Sequence, residues 1–183
     1  MVERLAGADD ATLVERAQDG DVVAFEVLVR RYAPTARAMA RRVLGGDADA
    51  DDVVQESFIA AWRSLRTLSD PGAFKGWLLR TASRRCVDVL RRRRDSIGLD
   101  GVDVPAPVST SPEAQATMSA AVADLDAALA RLPDPVRRAW LFREQAGLSY
   151  EEIARLEQVG VDTVRGRIAR ARRGLVREMG AWR

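Results

Sequence analysis

Five arginines fall within nine residues near the C-terminal end of the chain: Arg165, Arg167, Arg170, Arg172 and Arg173. A guanidinium is permanently charged, and its planar fork of donors matches a phosphate or the major-groove edge of guanine. A second cationic run, Arg63 to Arg94, holds ten basic residues against Asp70 and Asp88. It includes Lys75, Arg80, Arg84, Arg85, Arg91 and Arg92. Just before it, Val43 to Trp62 carries five acids (Asp47, Asp49, Asp51, Asp52 and Glu56) and no base. Two cationic segments and one anionic segment imply two polyanion contacts and one partner of another kind, a pattern that the formal net charge of +2 conceals. Every basic residue except Lys75 is arginine, an excess that a GC-rich coding sequence explains as well as selection for DNA contact does.

Covalent chemistry has little to work with. Histidine is absent, Cys86 is the single cysteine, and no residues stand at metal-ligand spacing, so no enzyme and no cofactor are expected. Asp47, Asp49 and Asp51 occupy positions 1, 3 and 5 of a calcium loop. Asp52, however, stands where the sharp-turn glycine belongs and Phe58 where the bidentate glutamate belongs, which excludes that loop. The basic residues around Cys86 would lower its thiol pKa and suit a redox-responsive role; a small apolar side chain filling a helix interface is the plainer expectation. With no apolar run of about 20 residues and no apolar segment near the N-terminus, neither membrane insertion nor export is expected. A lone, reduced thiol then points to the cytoplasm.

The elements that must carry these charges are helices. Leu13, Val14 and Ala17 form one stripe that ends at Asp19-Gly20, and Asp21 can cap a second helix with Phe25, Leu28, Val29 and Tyr32. Gly45-Gly46 ends that helix, Asp47 or Asp49 caps a third, and a fourth runs from about Ala73 to Arg94 after Asp70-Pro71-Gly72. Residues 95–118 hold three prolines, three serines, two glycines and four acids without a base, a composition expected of a flexible linker. Helices follow at about Ser119–Arg131 and Pro135–Gln145. Ser149-x-x-Glu152 is a capping box, Gly160 marks a tight turn, and Asp162 caps a last helix striped by Val164, Ile168, Ala171 and Leu175. The expected fold is all-α, in two small domains near the size at which a core becomes marginal. Helix, turn and helix from Glu151 to Leu175 suit a major-groove reader. The helix macrodipole accounts for Arg172, Arg173 and Arg177 near the end of the last helix, but opposes Arg165 and Arg167 in its first turn.

The string Asp51-Asp52-Val53-Val54-Gln55-Glu56-Ser57-Phe58-Ile59-Ala60-Ala61-Trp62 resembles region 2.2 of extracytoplasmic-function (ECF) sigma factors. Phe74-Lys75-Gly76-Trp77-Leu78-Leu79-Arg80 and Cys86-Val87-Asp88-Val89-Leu90-Arg91-Arg92 resemble regions 2.3 and 2.4. Leu132-Pro133, Gly147 to Ala154 and Thr163-Val164-Arg165 resemble region 4. The resemblance implies a sigma-2 domain at 1–94, a linker at 95–118 and a sigma-4 helix-turn-helix domain at 119–183. It implies as partners the β′ clamp helices and β flap of RNA polymerase core, promoter DNA and an anti-sigma factor.

By that resemblance, Asp52, Gln55, Glu56 and Phe58 match the core-binding surface, although acids at this position also favour a helix N-terminus. Lys75, Trp77, Arg80, Arg84, Arg85, Arg91 and Arg92 match the −10 machinery, with Thr67 to Phe74 as a base-capturing loop. Trp77 would be a wedge at the melting fork or, with Phe74, a core residue. Arg165, Gly166, Arg167, Arg170 and Arg172 match the −35 reader. Three departures bear on specificity: Arg84 replaces the usual asparagine, Gly166 a small polar residue, and Gln158-Val159-Gly160-Val161-Asp162 the common Gly-Cys-Pro-Val-Gly turn. The rival class is a helix-turn-helix repressor or activator, which would bind duplex DNA tightly without polymerase.

Overall fold

The computed structural model describes residues 5–97 and 120–180, and all regular structure among them is helical. Most of the stretch expected to be a linker, 98–118, lies outside the described residues. The helices are α1 (Asp10–Gln18), α2 (Val22–Leu44), α3 (Ala50–Ser64), α4 (Phe74–Ile97), α5 (Ala120–Ala130), α6 (Asp134–Glu144), α7 (Tyr150–Glu157) and α8 (Val161–Gly180). Short 3-10 turns at Leu65–Thr67 and Pro71–Ala73 join α3 to α4.

Local chemistry sets most of the boundaries. The Asp9 carboxylate accepts from the Thr12 amide at 2.8 Å, which caps α1. Asp21 accepts from the amides of Val23 and Ala24 and caps α2. Gly45 closes α2 at φ 75°, a left-handed conformation in which a Cβ would be strained. Asp70 accepts from the Gly72 amide and turns the chain into α4. That helix continues to Ile97, past the basic run and into the stretch of linker composition. At the other end of the chain the expectation is corrected. Here α8 starts at Val161, one residue before Asp162, and the Val164 amide bonds to the carbonyl of Gly160. Asp162 is therefore an acid in the first turn and not the cap.

In the first unit α2 packs on α1, α3 and α4, and α3 also packs on α4. Leu13, Leu28, Met39, Val53, Phe74, Leu78 and Cys86 are among its buried side chains. In the second, α8 rests on α5, α6 and α7 around Leu129, Phe142, Ile153, Val164 and Ile168. The two units touch: α2 packs on α5 and α6, and α4 packs on α7. The Arg42 guanidinium bonds the Asp126 carboxylate, and Arg137 donates to the Arg42 carbonyl at 2.8 Å.

Candidate nucleic-acid interface

The acidic segment is largely neutralised within the fold by arginines of α2 and α4. Asp47 pairs with Arg41 at 2.7 Å, Asp51 with Arg37 at 2.5 Å, and Asp49 with Arg93 of α4. The Arg37 hydrogen bond holds the Asp51 carboxyl below the usual carboxylate range. Glu56 pairs with Arg85 of α4 at 2.5 Å. That leaves Asp52, exposed and with no ion-pair partner among the described residues, as the free acid of the α3 surface.

Gln55 is exposed as well, but Phe58 is only 7% exposed and belongs to the core. What lies open beside it is an apolar groove of about 620 Å³ between α2 and α3. Val22, Phe25, Ile59 and Trp62 line it, and Gln55 stands at its edge. The Trp62 ring lies 4.8 Å from that of Phe25, and Ile59 and Trp62 keep about two-fifths of their surface in water. An apolar patch with a polar rim marks a docking surface. Ile59 and Trp62 were missing from the expected site, although Gln55, Ile59 and Trp62 recur at i, i+4 and i+7 and so mark a second stripe on α3.

On α4 the buried stripe contains Phe74, Leu78, Leu79, Ala82, Cys86 and Val89. Burial pushes the Cys86 thiol up to about 12, so the nearby guanidiniums do not activate it. Trp77 is half-buried, its ring 6.2 Å from Phe74. Arg80, Arg84 and Arg91, four and seven residues apart, share one outer face, whereas Arg85 and Arg92 line a polar cleft against α3. Lys75 and Arg92 are exposed. Two arginines of the outer face are engaged by the second unit: Arg80 donates to the Gly147 carbonyl at 3.0 Å and Arg91 to the Leu156 carbonyl at 2.7 Å. A polyanion that took Arg80 and Arg91 would compete with these two carbonyls. The loop that leads into α4 is anchored by Gln18, whose amide donates to the carbonyls of Leu65 and Leu68 at 2.9 and 3.0 Å. Gln18 carries no local signal for this role, because its partners lie far along the chain.

The second unit presents its cations on α8. The capping box forms in full: the Glu152 amide donates to Ser149 Oγ at 3.1 Å, and the Ser149 amide to Glu152 at 2.7 Å. The latter bond holds the Glu152 carboxyl below its usual range. The left-handed residue of the helix-turn-helix is Gln158, at φ 55° and ψ 46°, and not Gly160. Buried Val164, Ile168, Ala171 and Leu175 turn Gly166, Ala169, Arg170 and Arg173 outward. Arg170 and Arg173 have no carboxylate partner among the described residues, and Arg173 is an addition to the expected set. Arg165 and Arg172 are more than half exposed and pair with the surface acids Asp162 and Glu144. Arg167 differs: its side chain is 19% exposed and reaches Glu157.

Family models describe the same division. The model for Sigma-70 region 2 matches residues 28–96, and that for Sigma-70, region 4 matches residues 123–175. The chain is 39% identical over 155 residues to the ECF RNA polymerase sigma factor SigE of Mycolicibacterium smegmatis, an alignment covering 82% of this chain and 60% of that protein. It is 36% identical over 176 residues to the ECF RNA polymerase sigma-E factor of Salmonella typhimurium, covering 91% of this chain and 92% of the relative. Among solved structures it resembles the sigma factor RpoE of Bartonella quintana, crystallised with the anti-sigma factor NepR. There the TM-score is 0.60 at 25% identity, over 88% of this chain and all of that one.

Proposed function

The chain belongs to the ECF sigma factors of RNA polymerase, and from that premise we propose how its surfaces divide the work of initiation. Residues 1–94 act as the sigma-2 domain and 119–183 as the sigma-4 domain, joined by 95–118. The open α3 surface, with Asp52, Gln55 and the groove at Ile59 and Trp62, receives the β′ clamp helices of core polymerase; Phe58 shapes the groove from beneath, and Glu56 anchors α4 through Arg85. Arg80, Arg84 and Arg91, with Lys75, Arg85 and Arg92 on the flanks, hold the −10 strand once it is melted, and Trp77 stacks at the fork. The outer face of α8, Gly166 with Arg165, Arg170 and Arg172, reads the −35 duplex. The chain supplies no catalytic group and works in the cytoplasm, under an anti-sigma factor of the kind seen with its structural neighbour.

One observation carries this reading: a cationic helix stands back to back with a docking groove in the same small bundle, so whatever binds α3 fixes the position of α4. The test is transcription by core polymerase from a library of promoter-sized genomic fragments, with and without the protein. Start sites that appear only with the protein, and share upstream elements, are expected. Absence of transcripts together with tight duplex binding in the absence of core would transfer the chain to the repressors and activators. For the regulator, a tagged chain recovered from its host is expected to bring down a second protein besides polymerase. Recovery free or with polymerase alone removes the anti-sigma proposal.

A further inference from the structure

One carboxylate ties three helices of the second unit together. Glu157, the last residue of α7, has a side chain only 5% exposed. From α6 it receives Arg138, whose Nε and a terminal nitrogen donate at 3.0 and 2.9 Å, and from α8 it receives Arg167 at 3.4 Å. Arg138 is itself 9% exposed, so this is an ion pair withdrawn from water. Removing one partner of such a pair strands a buried charge, whereas replacing both by apolar side chains of similar size leaves stability unchanged or higher. Here the ionic node sits beside Gln158, the left-handed residue that ends α7 at the turn into α8.

We propose that Glu157 is a positioning residue for −35 recognition: acting through Arg167, it fixes the orientation of α8 relative to α7, and Arg167 reads no base itself. The inference rests on the reading of α8 as the −35 helix. Arg167 stands at the flank of α8, where its neighbours Gly166 and Arg170 turn outward. Its Nη1 faces Glu157, and its side chain is only 19% exposed, so it is turned towards α7 and not out with them. With the node intact, α8 enters the groove at one angle; without it, the arginines of the outer face meet the bases in several registers.

The test uses the full chain with core polymerase and a promoter that the wild type selects from a randomised library. Transcription from that promoter is compared with transcription from a copy whose −35 element is scrambled. Two variants are needed: Arg167→Met, which leaves the Arg138–Glu157 pair in place, and the double variant Arg138→Met with Glu157→Met, which removes the buried pair as a unit. Both are expected to fold, with a melting temperature near that of the wild type, and both are expected to lose discrimination between the two promoters about tenfold. Individual −35 base preferences are expected to weaken together and none to vanish alone. Wild-type discrimination in either variant would overturn the proposal and leave Glu157 a structural residue. Loss of preference at a single base pair in Arg167→Met would overturn it too, by making Arg167 a reader. A wild type indifferent to scrambling would instead overturn the assignment of α8 to the −35 element.

Discussion

Gln158 holds φ 55° and ψ 46°, a left-handed conformation that costs a residue with a Cβ about 1 kcal/mol relative to glycine. Its cap amide bonds the Ala154 carbonyl, so the conformation ends α7. Gln158→Gly is therefore expected to stabilise the chain by about 1 kcal/mol in urea unfolding. No change would mean that the Gln158 side chain compensates through a contact of its own. Cys86 gives a second expectation at this scale. With its thiol raised to about 12 by burial, the folded state holds a proton that the unfolded chain releases near 8.5. The sign follows: this contribution to stability is complete below about pH 8.5 and declines as pH climbs towards 12. At pH 8 the native thiol is both buried and protonated, so a disulfide reagent is expected to modify it only after unfolding. Rapid labelling of the native chain would restore the redox-responsive reading.

At the scale of elements, the capping box at Ser149 and Glu152 decides where α7 begins, and with it the start of the helix-turn-helix. The Glu152 carboxyl is lowered, so its charge stabilises the fold fully above the ordinary glutamate value and loses that effect as pH falls through the depressed one. Glu152→Gln keeps an acceptor at the same place but carries no charge. The wild type is expected to exceed it in stability by roughly 0.5 kcal/mol at neutral pH, solvent screening included, and by nothing once the pH has fallen below the depressed value and the carboxyl is protonated. A gap independent of pH would assign the effect to side-chain shape. This box was legible in the sequence, as were the Asp21 cap and the Gly45 stop, because each involves residues a few positions apart. The exposed stripe of Gln55, Ile59 and Trp62 was legible only in principle, since an aromatic beside a buried stripe reads as core until the neighbouring helix is known. The fates of the charges were not legible. Glu56 meets Arg85 and Asp49 meets Arg93 only because α3 lies along α4, and Arg167 meets Glu157 only across the turn. Sequence gives a charge its sign, while packing decides whether it is spent inside the fold or offered to a partner.

At the scale of the whole molecule, the same arginines cannot serve two masters. Arg80 and Arg91 hold the carbonyls of Gly147 and Leu156 while the units are together, and both belong to the face assigned to the −10 strand. Separation of the units would free both guanidiniums for the DNA contact proposed for that face. The pair that closes the units at the opposite side, Arg42 with Asp126, has side chains 15% and 28% exposed, enough protection from water for it to matter. Asp126→Arg sets a second guanidinium against the first and leaves untouched every residue proposed above to contact DNA. The closed arrangement is expected to lose roughly 1–3 kcal/mol, a shift of about 5- to 150-fold towards open forms. Small-angle scattering of the variant should show a larger radius of gyration than the wild type at the same ionic strength. Binding of a single-stranded oligonucleotide without core should rise with it, as Arg80 and Arg91 become available. Compaction unchanged in the variant would mean that the apolar contacts of α2 with α5 and α6 hold the units by themselves. Expansion without any gain in oligonucleotide binding would mean that the face of Arg80 and Arg91 is not the one that takes the strand.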